Sequence, residues 1–216
     1  MDVQAINDLI DDAKKHEAHN RHLQALVCDQ LEQLHHSIEL PEDTACDTLL
    51  KFVTEYIDHV PEFLDALDQA SRELNIESFI TPFLDIAEEN FLAPKIQGQT
   101  DIGLFELLDK AYFAHRLIED VNDSYMAKTG STMIPMNMTW ANLIIHAILG
   151  EKFGNELDAI VEQTVRQMMR SQEIFNEGKF RDFVNQRDPE EWVNTWSKWH
   201  CLSSKMGIEL KFTSAA

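Results

Sequence analysis

The stretch that decides the fold is GLFELLDKAYFAHRLIEDVNDSYMAK, residues 103–128. Placed on a helical wheel at about 100° per residue, its apolar positions fall on one face. They are Leu104, Leu107, Leu108, Ala111, Ala114, Ile118, Val121 and Tyr125. His115 and Asn122 lie near the middle of this face, and Glu119 lies toward its edge. A buried polar group costs roughly 1–3 kcal/mol unless another group pairs with it. The pattern therefore predicts a central helix whose polar residues have partners inside the protein.

Composition favours helix throughout the chain. Of the 216 residues only 7 are glycine and 6 are proline, and the frequent Leu, Ala, Glu, Gln, Met and Lys favour helix by propensity. The length suits one sizeable core. We predict an all-α, single-domain antiparallel bundle of about six to seven helices. Its core helices would cover residues 3–176, and a C-terminal clamp over 178–216 would end in a short extended tail.

Helix boundaries follow from caps, prolines and glycines. Pro61 removes a backbone donor from the second helix, which should kink or restart near His59. Thr81 and Pro82 predict the N-cap and first position of the third helix. The predicted helices span residues 3–38, 44–71, 81–93, 103–128, 140–173 and 179–187, followed by a last helix after Pro189 and an extended end at 207–212.

The net charge limits the partners of the protein. The chain has 18 Lys and Arg against 38 Asp and Glu, a formal charge of −20, and no basic run that would bind a phosphate backbone. We therefore expect neither nucleic acid nor an anionic membrane as a partner. The most apolar window, Trp140–Leu149, is shorter than the ~20 residues that a membrane-spanning helix needs.

The cysteines and the first residues indicate a compartment. Cys28, Cys46 and Cys201 are an odd, widely spaced set without a CxxC pair, which is typical of reduced thiols rather than of a disulfide framework or a zinc site. The N-terminal sequence MDVQAINDLIDD is acidic and lacks the basic and apolar regions of a secretion signal. The sequence therefore predicts a cytoplasmic protein.

Further polar residues lie within or beside the apolar stripes of the other helices. They are His16 and Asn20 in the first helix, His59 in the second, Asn90 in the third, and His146 in the nearly all-apolar run WANLIIHAIL. Side chains from several helices of a bundle can meet in one interior site. We therefore expect these helices to direct nitrogen or oxygen atoms toward a common core.

A methionine-rich connection follows the central helix. Met126, Met133, Met136 and Met138 are half of the 8 methionines of the chain. Flexible thioethers adapt to irregular apolar surfaces. The connection is therefore expected either to cover a pocket or to pack as an apolar loop on the bundle.

The central helix carries the pattern His115-xxx-Glu119-xx-Asn122. These spacings place the three side chains on adjacent turns of one face, as in helical bundles that present an imidazole and a carboxylate to an interior metal. In this pattern the chain resembles the di-iron helical bundles, which include the ferritin-like, haemerythrin-like and haem-oxygenase-like proteins. The pair of Glu-xx-His motifs typical of the first group and the His-xxx-His motif of the second do not occur here.

The resemblance implies a site of mixed imidazole and carboxylate ligands, which suit Fe or Mn, in an oxidoreductase that activates O2 on a small apolar substrate. On this interpretation the metal ligands are His115, Glu119, His146, His59 and His16. The residues that would orient these ligands or contact the substrate are Asn122, Asn20, Asn90, Met133 and Met136.

Two other interpretations stay open. In one, the polar residues form a satisfied network that fixes helix register, and the protein is a non-enzymatic acidic adaptor for a basic partner. In the other, they line a metal-free pocket for a small apolar or aromatic molecule between the central and fifth helices. A homodimer is compatible with each of these interpretations.

Overall fold

The computed structural model describes residues 1–34, 38–73, 77–94, 103–129, 138–171 and 209–210. Within these residues the chain forms seven α-helices and one pair of two-residue strands, which confirms the all-α prediction. The helices are α1 (Val3–Asn20), α2 (His22–Gln30), α3 (Ala45–Glu73), α4 (Glu77–Leu92), α5 (Leu104–Thr129), α6 (Thr139–Leu149) and α7 (Glu151–Ser171). The strands are β1 (Ile38–Glu39) and β2 (Glu209–Leu210), and they pair antiparallel.

Helix α5 is the centre of the fold and begins and ends within one residue of its predicted bounds. It contacts each of the other helices in the described part of the chain. Its predicted apolar face is buried, and full burial of each large side chain contributes roughly 1.5–3 kcal/mol. The buried members are Leu104, Leu107, Leu108, Ala111, Ala114, Ile118 and Val121.

The single helix predicted over residues 3–38 is wrong, because the chain breaks at Arg21. Arg21 has a left-handed backbone with φ of 54°, and its N–H donates to the Glu17 carbonyl at 2.9 Å. The Glu17 carboxylate then accepts from the backbone N–H groups of Leu23 and Gln24, both at 3.0 Å. A carboxylate is favourable at a helix N-terminus, so Glu17 stabilises the start of α2 although it lies on α1.

The single helix predicted over residues 140–173 is also interrupted, at Gly150. This glycine has φ of 85° and ψ of 144°, and its N–H donates to the His146 carbonyl at 3.1 Å. Glycine tolerates a positive φ because it lacks the Cβ that would strain the backbone there. Helix α7 begins at the next residue, Glu151.

Pro61 and Pro82 lie within continuous helices, whereas the sequence predicted a kink or restart at the first and a helix start at the second. Helix α3 continues through Pro61 without a restart. Helix α4 begins at Glu77, four residues before the predicted N-cap Thr81, and contains Pro82. Each proline removes one helical hydrogen bond, and burial of neighbouring apolar residues compensates for that loss. The buried neighbours are Ile57, Val60, Phe63, Leu64, Ile80, Phe83 and Leu84.

A buried lysine ends α4. Lys110 of α5 is 5% exposed, and its Nζ donates to the carbonyl of Phe91 at 2.9 Å and to the carbonyl of Ala93. The last carbonyls of a helix lack helical partners and carry partial negative charge. The ammonium therefore satisfies the end of α4 and ties this helix to α5.

Two of the three cysteines are paired. Cys28 and Cys46 form a disulfide with their Cα atoms 5.1 Å apart, so the prediction of reduced thiols is wrong for these two residues. The disulfide links α2 to the start of α3 and encloses β1. Strand β1 pairs with β2, which confirms the predicted extended conformation at Glu209 and Leu210.

No helix in the described ranges is long and apolar enough to cross a bilayer. Several predictions concern residues outside these ranges: the helix over 179–187, the helix after Pro189, most of the C-terminal clamp, Cys201, Met133 and Met136. The single-domain, cytoplasmic and homodimer predictions stay predictions.

Candidate functional site

Glu119 lies at the centre of a hydrogen-bonded network. Its Oε1 accepts from the Thr139 hydroxyl at 2.6 Å. Its Oε2 accepts from the Asn142 amide at 2.6 Å and from the Arg116 guanidinium at 2.5 Å. Both carboxylate oxygens are thus engaged, and the carboxylate joins α5 to the first turn of α6.

The network extends in two directions from Glu119. Toward α3, the Tyr56 hydroxyl donates to Asn142 Oδ1 at 2.7 Å in the core. Toward α7, Asp158 Oδ1 accepts from Arg116 Nε at 3.0 Å and from the Tyr112 hydroxyl at 2.8 Å. We call these residues the Glu119 network: Tyr56, Tyr112, Arg116, Glu119, Thr139, Asn142 and Asp158.

Burial dominates the titration of the network. It raises the pKa of the Tyr56 hydroxyl well above its usual value, and burial together with Asp158 raises the pKa of Tyr112. Burial acts to lower the pKa of Arg116, but its bonds to Asp158 and Glu119 outweigh that effect and raise the pKa. Both phenols therefore stay neutral donors and Arg116 stays a cation, which suits a structural role.

His115 lies one turn before Glu119 on α5 and is only partly hydrogen-bonded. It is 1% exposed, and its Nε2 lies 3.1 Å from the Tyr56 carbonyl oxygen. A carbonyl only accepts, so Nε2 carries the proton and Nδ1 is an acceptor. Within the described residues Nδ1 has no hydrogen-bond partner. His115 is therefore a buried acceptor that the described protein atoms do not satisfy.

Aromatic rings surround His115. Its ring centroid lies 4.5 Å from that of Tyr56, 5.5 Å from that of His59 and 5.7 Å from that of Phe63. Burial, reinforced by the nearby His59, lowers the pKa of His115 to about 3. The imidazole is therefore neutral near pH 7 and is too weak a base for efficient proton transfer there. It is suited to accepting a hydrogen bond.

A pocket of about 50 Å³ lies beside His115 between α3, α5 and the start of α6. This volume holds roughly three to four water molecules. Asp123 and Thr139 are its exposed members, whereas His115 and Phe63 are buried. The lining residues of this His115 pocket are Phe63, His115, Ile118, Glu119, Asn122, Asp123, Met138 and Thr139.

His146 takes a different place from the predicted one. Its Nε2 lies 3.2 Å from Asn155 Oδ1 and 3.7 Å from Asp158 Oδ2. The ring also lies against Gly154, where an added Cβ would be 2.5 Å from His146 Cδ2. His146 therefore belongs to the contact between α6 and α7.

His16 and Asn20 form another separate group. The Asn20 amide lies 3.1 Å from His16 Nδ1 on the partly buried face of α1. A Cβ added at Gly103, just before α5, would lie 3.4 Å from His16 Nδ1. This pair thus lies near the start of α5, whereas His115 is in its middle. Asn90 is partly buried on α4.

The predicted metal ligands are therefore not assembled into one site. His115 and His59 are neighbours, Glu119 is held by its network, and His146 and His16 each have other contacts. Among the described residues, no group of three or more His, Cys, Asp or Glu side chains is arranged to hold a metal ion. These residues do not fit Fe or Mn, which need several converging ligands, and metal binding stays a prediction.

The sequence patterns missed most of the Glu119 network. Tyr56, Arg116 and Asp158 were not among the predicted site residues, and their sequence positions do not indicate a common partner. Asn142 was detectable, because an amide in the nearly all-apolar run 140–149 needs a buried partner. Asn142 is 3% exposed and bonded on both sides.

Comparisons of the chain with protein-family models, with curated proteins and with solved structures find no match. The di-iron resemblance is therefore neither supported nor contradicted by a relative. Any function has to be argued from the geometry of the Glu119 network and the His115 pocket.

Proposed function

We propose that the protein binds a small molecule in the His115 pocket. The observation that carries the proposal is the unsatisfied Nδ1 of a fully buried, neutral histidine that lines a pocket. An unpaired buried acceptor costs roughly 1–3 kcal/mol. A ligand or water that donates to Nδ1 recovers this free energy, so the site favours occupation.

The walls of the pocket suit a ligand with two unlike ends. Phe63, Ile118 and Met138 are apolar and at most 5% exposed. Asn122 and Thr139 add hydrogen-bonding groups. Such a combination, an apolar lining with a few placed polar groups, is typical of small-molecule sites. The volume of about 50 Å³ limits the bound part of the ligand to a few non-hydrogen atoms.

Binding fits the site better than catalysis does. Glu119, the other acid–base group predicted for the site, has both oxygens engaged. His115 is too weak a base near pH 7, since its pKa is about 3. This argument supports the metal-free pocket among the interpretations of the sequence. The basic-partner and homodimer interpretations stay predictions.

Protein-observed NMR tests the proposal. A panel of organic molecules of three to five non-hydrogen atoms is titrated, and backbone and histidine shifts are recorded. Affinities should be millimolar, because small ligands gain at most about 1.5 kcal/mol per non-hydrogen atom. We expect shifts to concentrate at the pocket residues, with His115 Nδ1 among them. Absence of any saturable shift up to about 100 mM would overturn the proposal, since this is well above the expected dissociation constants.

A matched pair of variants locates the binding. Ile118→Phe fills the pocket, whereas Ile160→Phe makes the same change at a position that is 52% exposed on α7. Overpacking at Ile118 should cost roughly 1–3 kcal/mol, and circular dichroism checks that the variant is folded. We expect Ile118→Phe to lose binding and Ile160→Phe to keep it. Equal binding by both, or shifts mapping away from the pocket, would overturn the proposal.

A further inference from the structure

We infer that the ligand of the His115 pocket is a small organic cation that donates hydrogen bonds, with a primary alkylammonium as the simplest member of the class. The inference rests on the proposed function, that this pocket binds a ligand at all. It concerns the charge and the hydrogen-bonding character of that ligand.

The unpaired nitrogen of His115, a residue that lines the pocket, requires a donor. His115 Nε2 carries the ring proton because it faces the Tyr56 carbonyl at 3.1 Å. Nδ1 is then a lone-pair acceptor. A ligand that can only accept, such as a carboxylate, would meet a second acceptor here and gain nothing. An ammonium group has three N–H donors and meets this requirement.

The charges at the pocket have one sign. Glu119 and Asp123 supply two carboxylates to the lining, and no lysine or arginine is among the lining residues. The Glu119 charge is partly balanced by Arg116 at 2.5 Å, from outside the lining set. Asp123 lies at the exposed edge. A cation entering past Asp123 is attracted, whereas an anion is repelled.

The titration of Asp123 agrees with this view. Partial burial raises the pKa of Asp123, the neighbouring Glu119 charge raises it further, and Arg116 lowers it. A positive charge beside Asp123 would favour its ionised form. The apolar residues Phe63, Ile118 and Met138 complete the site by contacting the alkyl part of the ligand.

Three probes of equal size test the inference: ethylammonium, ethanol and formate, each with three non-hydrogen atoms. Each is titrated into the full chain at pH 7 with ionic strength matched by NaCl, and NMR shifts at the pocket are followed. Charge-assisted hydrogen bonds are about twice as strong as neutral ones, so ethylammonium should bind roughly five- to tenfold more tightly than ethanol. Formate should give no saturable shift at the pocket.

The outcomes separate the two proposals. If ethanol or formate binds as tightly as ethylammonium, the cation inference is overturned and the pocket itself stands. If none of the three produces saturable shifts at the pocket, the proposed function fails and the inference fails with it.

A pair of surface variants adds an independent test. Asp123→Asn removes the carboxylate at the edge of the pocket, and Asp85→Asn removes an exposed carboxylate on α4. Both change the net charge equally. An exposed ion pair contributes little, so Asp123→Asn should weaken ethylammonium binding roughly two- to fivefold and leave ethanol unchanged. Equal weakening by both variants would overturn the role of the pocket charge.

Discussion

The Glu119 network and His115 differ in how completely their polar groups are paired. The network gives each of its two carboxylates, Glu119 and Asp158, at least two donors within 3.0 Å. His115 is as deeply buried as the tyrosines of the network, but it keeps one nitrogen without a partner in the described residues. A network in which every polar group is paired needs only a structural role. An unpaired buried atom of a residue that lines a pocket indicates a binding site for a ligand or water.

The largest effect on stability should come from removing the carboxylate of Glu119 from its network. Glu119→Ala leaves Asn142 and Thr139 without this acceptor and leaves Arg116 with Asp158 alone. The Arg116 and Glu119 side chains are 23% and 13% exposed, and hydrogen bonds to a charged group contribute roughly 1.5–3 kcal/mol. We therefore expect urea denaturation to show a loss of about 2–3 kcal/mol in the free energy of unfolding. Glu156→Ala, at an exposed position of α7, should stay within about 0.5 kcal/mol of the wild type. A loss below about 1 kcal/mol for Glu119→Ala, typical of surface pairs, would contradict the comparison.

The second effect is the pH dependence of the contribution that His115 makes to stability. The pKa of His115 is about 3 in the folded protein against 6.5 in the unfolded chain. Between these values the unfolded chain binds a proton that the folded protein does not, so lowering the pH destabilises the fold. From pH 7 to pH 5 the His115 contribution should fall by roughly 2 kcal/mol.

The measurement compares two histidine variants. His115→Phe should flatten the dependence of unfolding free energy on pH between pH 7 and 5, because no imidazole remains to be protonated on unfolding. His22→Phe, at an exposed site on α2, should keep the wild-type dependence. If both variants show the same dependence as the wild type, His115 is not the buried neutral group that the structure shows.

A smaller effect compares the two tyrosines of the Glu119 network. Tyr56→Phe leaves the buried Asn142 Oδ1 without its donor, which should cost about 1–2 kcal/mol. Tyr112→Phe leaves Asp158 with Arg116, and the Asp158 side chain is 33% exposed, so about 0.5 kcal/mol is expected. Thermal and urea unfolding of the two variants decide the order. The reverse order would show that burial does not set the strength of this network.

The smallest expected effect is that of added iron on thermal stability. Glu119 is already saturated by its donors, so protein purified without added metal should hold less than about a tenth of an equivalent of Fe or Mn, and Fe(II) should not raise Tm. Metal analysis and thermal unfolding provide the measurement. One equivalent of iron in the wild type that is absent from His115→Phe would restore the di-iron interpretation. His115 and the Glu119 network would then belong to one metal site.

Local sequence patterns predicted helix α5 and two of the residues at its centre, His115 and Glu119. Helix α5 is long and strongly periodic, so its bounds, its apolar face and the inward position of His115 were accessible from sequence. The break at Arg21 was not, because a left-handed arginine has no glycine signal. It depends on the Glu17 carboxylate, which caps α2 from the preceding helix.

The partners of the predicted residues could not be found in the same way. His115 bonds to a backbone carbonyl 59 residues away, and every residue offers such a carbonyl. His146 was predicted beside His115, but the bonds of Asn142 to Tyr56 and Glu119 set the register of α6. His146 lies one turn farther along and meets Asp158 of α7 instead. Registers between helices depend on contacts that spacing within one helix does not contain.

The disulfide between Cys28 and Cys46 connects distant parts of the sequence. It closes a ring over a separation of 18 residues, and β1 lies inside this ring. Strand β1 pairs with β2 at Glu209 and Leu210, so the ring that the disulfide closes also carries the partner of residues 209–210. Reduction of the disulfide would thus remove a constraint on β1 and on its pairing with Glu209 and Leu210.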